Sequence, residues 1–303
     1  MGKIIDSKDA ECYFIDYKFV SKHNLSGFIE KVKLGGLNLD RNMFVISTCL
    51  RYEIYNFSGK EWKFENKNMF VHISGNLCLR RFISLLCGLQ SEIIGEREIF
   101  VQIRSAVYEA AKNNMLDKAV FWHIVSLFEK AEKVRNTHSI DCQENYSTVG
   151  AKVLDKEITS PANVAIIGGG YMAESFLNNI NATKLKKVYW INRSVEKIKK
   201  IARKQHIIPI ELFEFYNLEN AEPVINKADF VFAAAYNCGG RFSKIHLNDT
   251  NCVVDVSYPS LFSDDIGCNF YSIDNTYFEK LIESPISKSL VFSAEKEIDS
   301  LIL

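Results

Sequence analysis

No run of about 18 consecutive apolar residues occurs in this 303-residue chain, which excludes a helix of membrane-spanning length. Its N-terminus, MGKIIDSKDAECYF, lacks an apolar stretch of signal-peptide length. The expectation is therefore a cytoplasmic protein with no membrane partner. The eight cysteines (12, 49, 78, 87, 142, 238, 252 and 268) include no C-x-x-C pair and no Cys/His group at zinc-ligand spacing. No metal site is expected, and the thiols should be reduced. Neither sign of charge is in excess: 37 Lys and Arg balance 37 Asp and Glu, so any nucleic-acid contact must come from a local basic patch. Internal repeats and low-complexity tracts are also missing. What remains is an ordinary globular composition, 47% hydrophobic and 24% charged, long enough for two cores.

One short stretch asks for a chemical reading. In VISTCLRYEIYNF, Phe44, Val45 and Ile46 read as a buried strand and Ser47-Thr48 as its exit. Cys49 then lies at a strand end, just before Arg51 and Glu53. A reactive thiol fits there, and so does a buried structural cysteine. Around it, CYFIDYKFV, MFVISTC, YEIYNFSG and MFVHISG predict a small α+β unit within residues 10–80. Ile99, Ile103, Val107 and Ala110 recur at helical spacing, as do Leu116, Val120, Ile124, Leu127, Ala131 and Val134. Two amphipathic helices are expected, broken near Asn113-Asn114. Residues 145–157 read as another helix, and Pro161 marks a boundary.

From Asn163 the pattern becomes strand, glycine turn, helix, strand. NVAII, KKVYWIN, ADFVFAAAY and NCVVDVSYP are buried-strand candidates for a parallel sheet. Gly168-Gly169-Gly170-Tyr171-Met172-Ala173 fits G-x-G-x-x-A between a strand and a helix. Gly168 permits the tight turn, Gly170 a close approach of pyrophosphate, and Ala173 close helix–sheet packing. The second strand ends in Asn192-Arg193-Ser194, where an NAD site usually carries an acidic residue. A cation and donors there suit a 2′-phosphate, which favours NADP(H) over NAD(H). The alternative is a Rossmann-type domain without a ligand and a solvated Arg193.

Together these parts resemble the glutamyl-tRNA reductase family. STCLRYEIY resembles that family's S-T-C-N-R-T-E-I-Y, and CGLQSEIIGEREIFVQIRSAVYEAA its G-L-D-S-M-x-x-G-E-x-Q block. IGGGYMAE, NRS and VVDVSYP resemble its NADPH-domain signatures. The resemblance implies an α/β multidomain fold. Its parts would be an N-terminal α+β catalytic domain (1–140), a linker helix (141–161), a Rossmann-type NADPH-binding domain (162–280) and a short C-terminal tail (281–303). It implies that Cys49 attacks the glutamyl ester of glutamyl-tRNA, and that NADPH reduces the resulting thioester to glutamate-1-semialdehyde for tetrapyrrole synthesis. Arg51 would grip the substrate carboxylate. Thr48, Leu50, Ser91, Glu96, Arg97, Glu98 and Gln102 fall in the stretches implied to bind substrate, with Glu96 and Gln102 on one helix near the pocket. Gly168 to Ala173 and Asn192 to Ser194 would hold the cofactor. The aminomutase that takes the semialdehyde is a further implied partner.

The departures from the family pattern are also specific. Leu50, Tyr52, Gln90 and Glu98 replace Asn, Thr, Asp and Gln, and Arg81 stands where the family has a histidine. Arg81 cannot serve as a base, but could stabilise a thiolate or an oxyanion. His72, His123 and His138 are the candidate substitutes, and none is favoured. The family's C-terminal dimerisation domain has no counterpart in the tail read here. Ordinary readings compete residue by residue: Arg51 in a surface ion pair, Ser91 and Glu96 as helix caps, Gln102 on a solvated face. Lys130, Lys133 and Arg135, with the Arg80-Arg81 pair, are the hints of tRNA contact. The competing functions are a catalytically silent paralogue binding NADP or tRNA, and an NADP-dependent dehydrogenase of small molecules.

Overall fold

A computed structural model describes residues 7–302 except 35, 37, 65, 66, 237, 239, 274, 276, 277, 279 and 283–285. Residues 1–6, where the stretch read above for a leader begins, lie outside the described residues. The chain divides into two compact units, Met1–Gln143 with Ser284–Leu303, and Glu144–Glu283.

The first unit is built on an antiparallel sheet of order β2-β3-β1-β4, from β1 (Glu11–Asp16), β2 (Met43–Ser47), β3 (Arg51–Asn56) and β4 (Val71–Ser74). All four lie in the runs expected from alternation and β-branching. Every residue of β3 is buried, including Arg51, Glu53 and Asn56, so these polar groups must satisfy one another. Helices α1 (Lys22–Leu34), α2 (Asn76–Leu86), α3 (Glu98–Lys112) and α4 (Lys118–Thr137) complete the main body of the unit. The break between α3 and α4 contains Asn114 at φ +57°, as the Asn-Asn pair suggested. Helix α2 was not anticipated, because Arg80 and Arg81 interrupt the apolar stripe of NLCLRRFISLL.

The C-terminal residues form a helix, Lys288–Ile302, that belongs with this first unit. Its Ala294 and Ile298 are fully buried. Asp299 accepts from Arg80 Nε at 2.6 Å, Glu297 pairs with His138 at 2.7 Å, and Lys130 Nζ donates to the Leu301 carbonyl at 2.9 Å.

The second unit opens with α5 (Tyr146–Glu157), the helix read as a linker. A reciprocal capping box between Asn145 and Thr148 fixes its start. Six parallel strands follow: β5 (Ala162–Ile167), β6 (Leu185–Asn192), β7 (Phe213–Asn217), β8 (Phe230–Ala233), β9 (Cys252–Asp255) and β10 (Asn269–Ser272). Their order, β10-β9-β8-β5-β6-β7, is the doubly wound Rossmann arrangement. The two strands not foreseen, β7 and β10, are the sheet edges. They are short and half-exposed and so lack the continuous apolar run of the inner strands. The direction of winding reverses between β5 and β8, which opens a crevice at the end of β5.

Candidate functional site

Cys49 occupies the tip of the β2–β3 hairpin. Thr48 N–H donates to the Arg51 carbonyl at 2.9 Å and Leu50 N–H to Thr48 Oγ1 at 3.1 Å, leaving Cys49 and Leu50 as the turn. Cys49 is half-buried, and burial pushes its thiol pKa up to about 12. Among the charged groups around it, Glu96 acts most strongly and raises it further; Arg51 opposes, and Glu92 adds a smaller push upward. At neutral pH the thiol therefore keeps its proton.

Two arginines expected to act here, Arg51 on the substrate carboxylate and Arg81 on a thiolate or oxyanion, are engaged elsewhere. Arg51 is 1% exposed; its guanidinium donates to the Gln90 carbonyl at 2.8 Å and to Glu53 at 3.4 Å. It is a buried ion pair, neither a surface pair nor a free carboxylate grip. Arg81 corrects the sequence reading more strongly. It donates to Glu53 Oε1 at 2.7 Å, to Glu53 Oε2 at 3.2 Å and to Asp16 at 2.8 Å, and lies flat on the Phe14 ring. Two carboxylates hold Arg81 through Nε and Nη2, and the Phe14 ring lies against its guanidinium, so its charge is already neutralised. Glu53 also accepts from Tyr55 OH at 2.8 Å. Two cations and two anions thus form a buried neutral group, and the two guanidinium groups hold Glu53 below the usual carboxylate range against its own burial.

The second side of the site is the loop between α2 and α3. Buried Arg135 fixes it, donating to the carbonyls of Cys87 (2.8 Å), Gly95 (2.8 Å) and Glu96 (3.3 Å). This also corrects the expectation of a basic helical end: Arg135 is 2% exposed, Arg80 and Lys130 hold the C-terminal helix, and Lys133 alone of that set stands in solvent. Ser91 and Glu96 are buried in the loop, and neither caps α3, whose N-cap is Arg97. Ser91 Oγ lies buried without a well-formed hydrogen bond. Glu96 has no ion pair with any described residue, and only Ser91 approaches its carboxyl. Burial raises that carboxyl to about 7, aided by Glu98 and Glu92 and opposed by Ser91 and Arg51. Glu96 precedes the helix it was expected to share with Gln102, and Gln102 is exposed. Arg97 is spent on Asp141 at 2.9 Å, and Glu98 lies in the first turn of α3. Of the candidate histidines, His72 stacks on Tyr13, His138 holds Glu297, and His123 packs against Phe57 with its Nε2 buried and without a hydrogen bond.

The glycine turn after β5 has a different character. Gly168 has φ +122°, and a Cβ there would come within 2.3 Å of the Ala234 carbonyl oxygen. Its N–H donates to Ile191 O at 2.8 Å, and its carbonyl accepts from Trp190 Nε1 at 2.7 Å. A Cβ on Gly169 would meet Asn192, whereas one on Gly170 would meet nothing within 4 Å. Gly170 caps helix α6 (Tyr171–Asn179); Ala173 is fully buried, Tyr171 is exposed and Met172 half-buried. The turn borders a cleft of about 210 Å³ that also takes in Asn192, Arg193, Lys197, Tyr236 and Cys238. Ser194 caps the next helix, Val195–Lys204. Arg193 and Lys197 are exposed and make no ion pair among the described residues, and no carboxylate among them lines the cleft. An open glycine turn beside two cations without ion partners among the described residues fits a nicotinamide dinucleotide. Lys197 was missed, although it follows Arg193 by one helical turn.

Comparison with known proteins accounts for both regions. Residues 5–138 match the family described as glutamyl-tRNAGlu reductase, N-terminal domain, and residues 151–276 match shikimate/quinate 5-dehydrogenase. A glutamyl-tRNA reductase of Francisella philomiragia is 26% identical over 211 residues, covering 63% of this chain and 49% of that protein. One from Francisella tularensis is 25% identical over 245 residues, covering 74% of this chain and 58% of the relative. By these measures the chain is similar to glutamyl-tRNA reductases, its first 138 residues most directly. It spans about half the length of the curated relatives it matches. Among solved structures, glutamyl-tRNA reductase from Methanopyrus kandleri is similar at 18% identity and a TM-score of 0.40, over 97% of this chain and 78% of that one. Among the described residues no helix is long and apolar enough to cross a membrane, no acidic, His or Cys cluster could hold a metal, and all eight cysteines are free.

Proposed function

We propose that the chain reduces glutamyl-tRNA to glutamate-1-semialdehyde through a thioester on Cys49, with NADPH as reductant. The observation that carries this reading is the Cys49 turn facing a loop whose buried Glu96 and Ser91 lack strong partners, within the segment that matches the reductase N-terminal domain. Unpaired buried polar groups are costly, and a polar substrate would repay them. In the reaction, Sγ bonds to the ester carbonyl carbon and the carbon–oxygen bond to tRNA breaks. Thr48 and Leu50 fix the turn that presents Sγ. Ser91 and Glu96 face the glutamyl group, while Arg51 acts by holding the Gln90 carbonyl and so the loop. When bound, NADPH would supply the hydride that turns the thioester into aldehyde and free thiol. Gly168 to Ala173 and Asn192 to Ser194 would bind it, Arg193 and Lys197 meeting the 2′-phosphate. The glutamate-1-semialdehyde aminomutase would take the product.

A single-turnover assay with charged glutamyl-tRNA, with and without NADPH, tests this beside Cys49→Ser. NADPH-dependent semialdehyde, lost in Cys49→Ser, is the expected result. Failure to form either thioester or aldehyde, with NADPH still bound, would sink the reading in favour of a silent paralogue.

A further inference from the structure

The thiol proton has no evident destination in the family-like reading of this site. Arg81 stands where a histidine was expected and is locked between Asp16 and Glu53. His72 and His138 are held elsewhere, and His123 packs beside Phe57, past the end of β3 opposite to Cys49. A thiol that keeps its proton is a poor nucleophile, so some neighbour must accept that proton as sulfur attacks.

We infer that Glu96 is the proton acceptor for Cys49, and that Arg135 is the residue that positions it. The proposal rests on the reductase reading above and deepens it. The argument is one of placement. The loop that carries Glu96 is tied to the Cys49 turn by Arg51, which donates to the Gln90 carbonyl at 2.8 Å, and Glu96 is the charged group that acts most strongly on the thiol. Glu96 is 8% exposed, forms no ion pair among the described residues, and has the Ser91 hydroxyl beside its carboxyl. Other carboxylates nearby are committed: Glu53 to Arg51 and Arg81, Glu92 to Lys22 at 2.6 Å. Tyr17, on the segment after β1, is the remaining titratable neighbour; burial pushes it up to about 12 and removes it as a base. Arg135 anchors the carbonyls of Gly95 and Glu96, so the carboxylate is delivered from a fixed backbone. A carboxyl that titrates near neutrality is matched to proton transfer at working pH.

The step balances without a further reagent. The Sγ–H proton passes to the Glu96 carboxylate as sulfur bonds to the ester carbonyl carbon. When the carbon–oxygen bond breaks, the same proton passes from Glu96 to the departing ribose oxygen. Thioester and free alcohol result, and Glu96 is again a carboxylate.

Alkylation of Cys49 by iodoacetamide, followed by peptide mass in the full chain from pH 5.5 to 9, tests the base role without tRNA. The native protein should show a rise in rate near pH 7, well below the thiol's own titration. Glu96→Gln should lose that step and react about tenfold more slowly at pH 7.5, with Glu96→Asp restoring part of it. Arg135→Met should blunt the step while leaving its midpoint in place. If Glu96 acted on the thiol through charge alone, removing that negative charge would ease ionisation and speed alkylation in Glu96→Gln. An unchanged or faster rate in that variant therefore overturns the proposal, as does a native protein in which Cys49 is never labelled. Loss of reductase activity with a normal alkylation step would count against the reductase reading alone.

Discussion

The Cys49 turn and the Gly168 turn both follow a buried strand, yet they hold their polar groups in opposite ways. Beneath the Cys49 turn four charges are buried and paired, Arg51, Arg81, Asp16 and Glu53 neutralising one another, with Glu96 the buried exception. Around Gly168 the backbone is fixed by its own hydrogen bonds, and Arg193 and Lys197 point unpaired into solvent. A buried neutral group gives rigidity but leaves little charge for a ligand. An exposed, unpaired one contributes little to folding and is available to an incoming anion. The lesson is that charge at a site has to be sorted by partner before it is assigned a role, and Arg81 is the example.

The sharpest way to break this comparison is to unbalance the buried group. Glu53→Gln keeps the shape but leaves two guanidinium groups facing Asp16 alone. It should cost about 3–5 kcal/mol, read as loss of hydrogen-exchange protection across residues 11–86. A cost within experimental error would mean that the network is not balanced as described. Because Glu53 titrates below its ordinary value in the folded chain, its contribution is present above the unfolded pKa. It is lost as the pH falls through the folded one, so native and variant should converge in acid.

Glu96 should behave with the opposite sign. Its folded pKa of about 7 lies above the ordinary carboxylate value, so folding favours the protonated form. That contribution is complete below the unfolded pKa and fades as the pH rises through about 7. Relative to Glu96→Gln, the native protein should lose roughly 2–3 kcal/mol between pH 5 and 8, measured by urea unfolding at each pH. Parallel pH profiles for the two proteins would contradict the buried, unpaired state of this carboxyl.

How far these features could be read from the sequence depended on period and on partnership. Alternation in MFVIS and RYEIYN and the strand-turn-helix pattern of NVAIIGGGYMAES were visible because burial imposes a period on the chain. Helix α2 was hidden by Arg80 and Arg81, whose burial depends on Asp299 and Glu53 far along the sequence. The same holds at the site. Cys49 and the glycines stood out by local pattern, whereas the roles of Arg81 and Arg135 came from carboxylates and carbonyls that no spacing rule brings together. Lys197 was the exception, legible at one helical turn from Arg193 and passed over.

Within the glycine turn the comparison can be sharpened by adding one methyl group at two positions. Gly168→Ala forces a side chain into positive φ against a backbone oxygen and should destabilise the second unit by about 2 kcal/mol. Gly170→Ala meets no neighbour in the chain. It should unfold within about 0.5 kcal/mol of the native protein while weakening NADPH binding, because its methyl group would occupy the approach to the pyrophosphate. Thermal unfolding and NADPH titration of the pair separate the two effects. Equal losses of stability would show that Gly170 is structural too.

The smallest expected effect concerns the free cations. Arg193→Gln and Lys197→Gln remove exposed charges with no ion partner, so neither should alter unfolding measurably. Each should weaken NADPH by about tenfold, the free energy of one charge-assisted contact in partial solvent. NADH, which lacks the 2′-phosphate, should be nearly unaffected by either change. The ratio of the two affinities is therefore the informative quantity, since a general disturbance of the cleft would lower both. The effect should also shrink as salt rises, because exposed charges are screened over about 8–10 Å at physiological ionic strength. If NADH and NADPH weakened together in both variants, the cleft would bind dinucleotide without reading the 2′-phosphate, and Arg193 and Lys197 would be solvated surface charges.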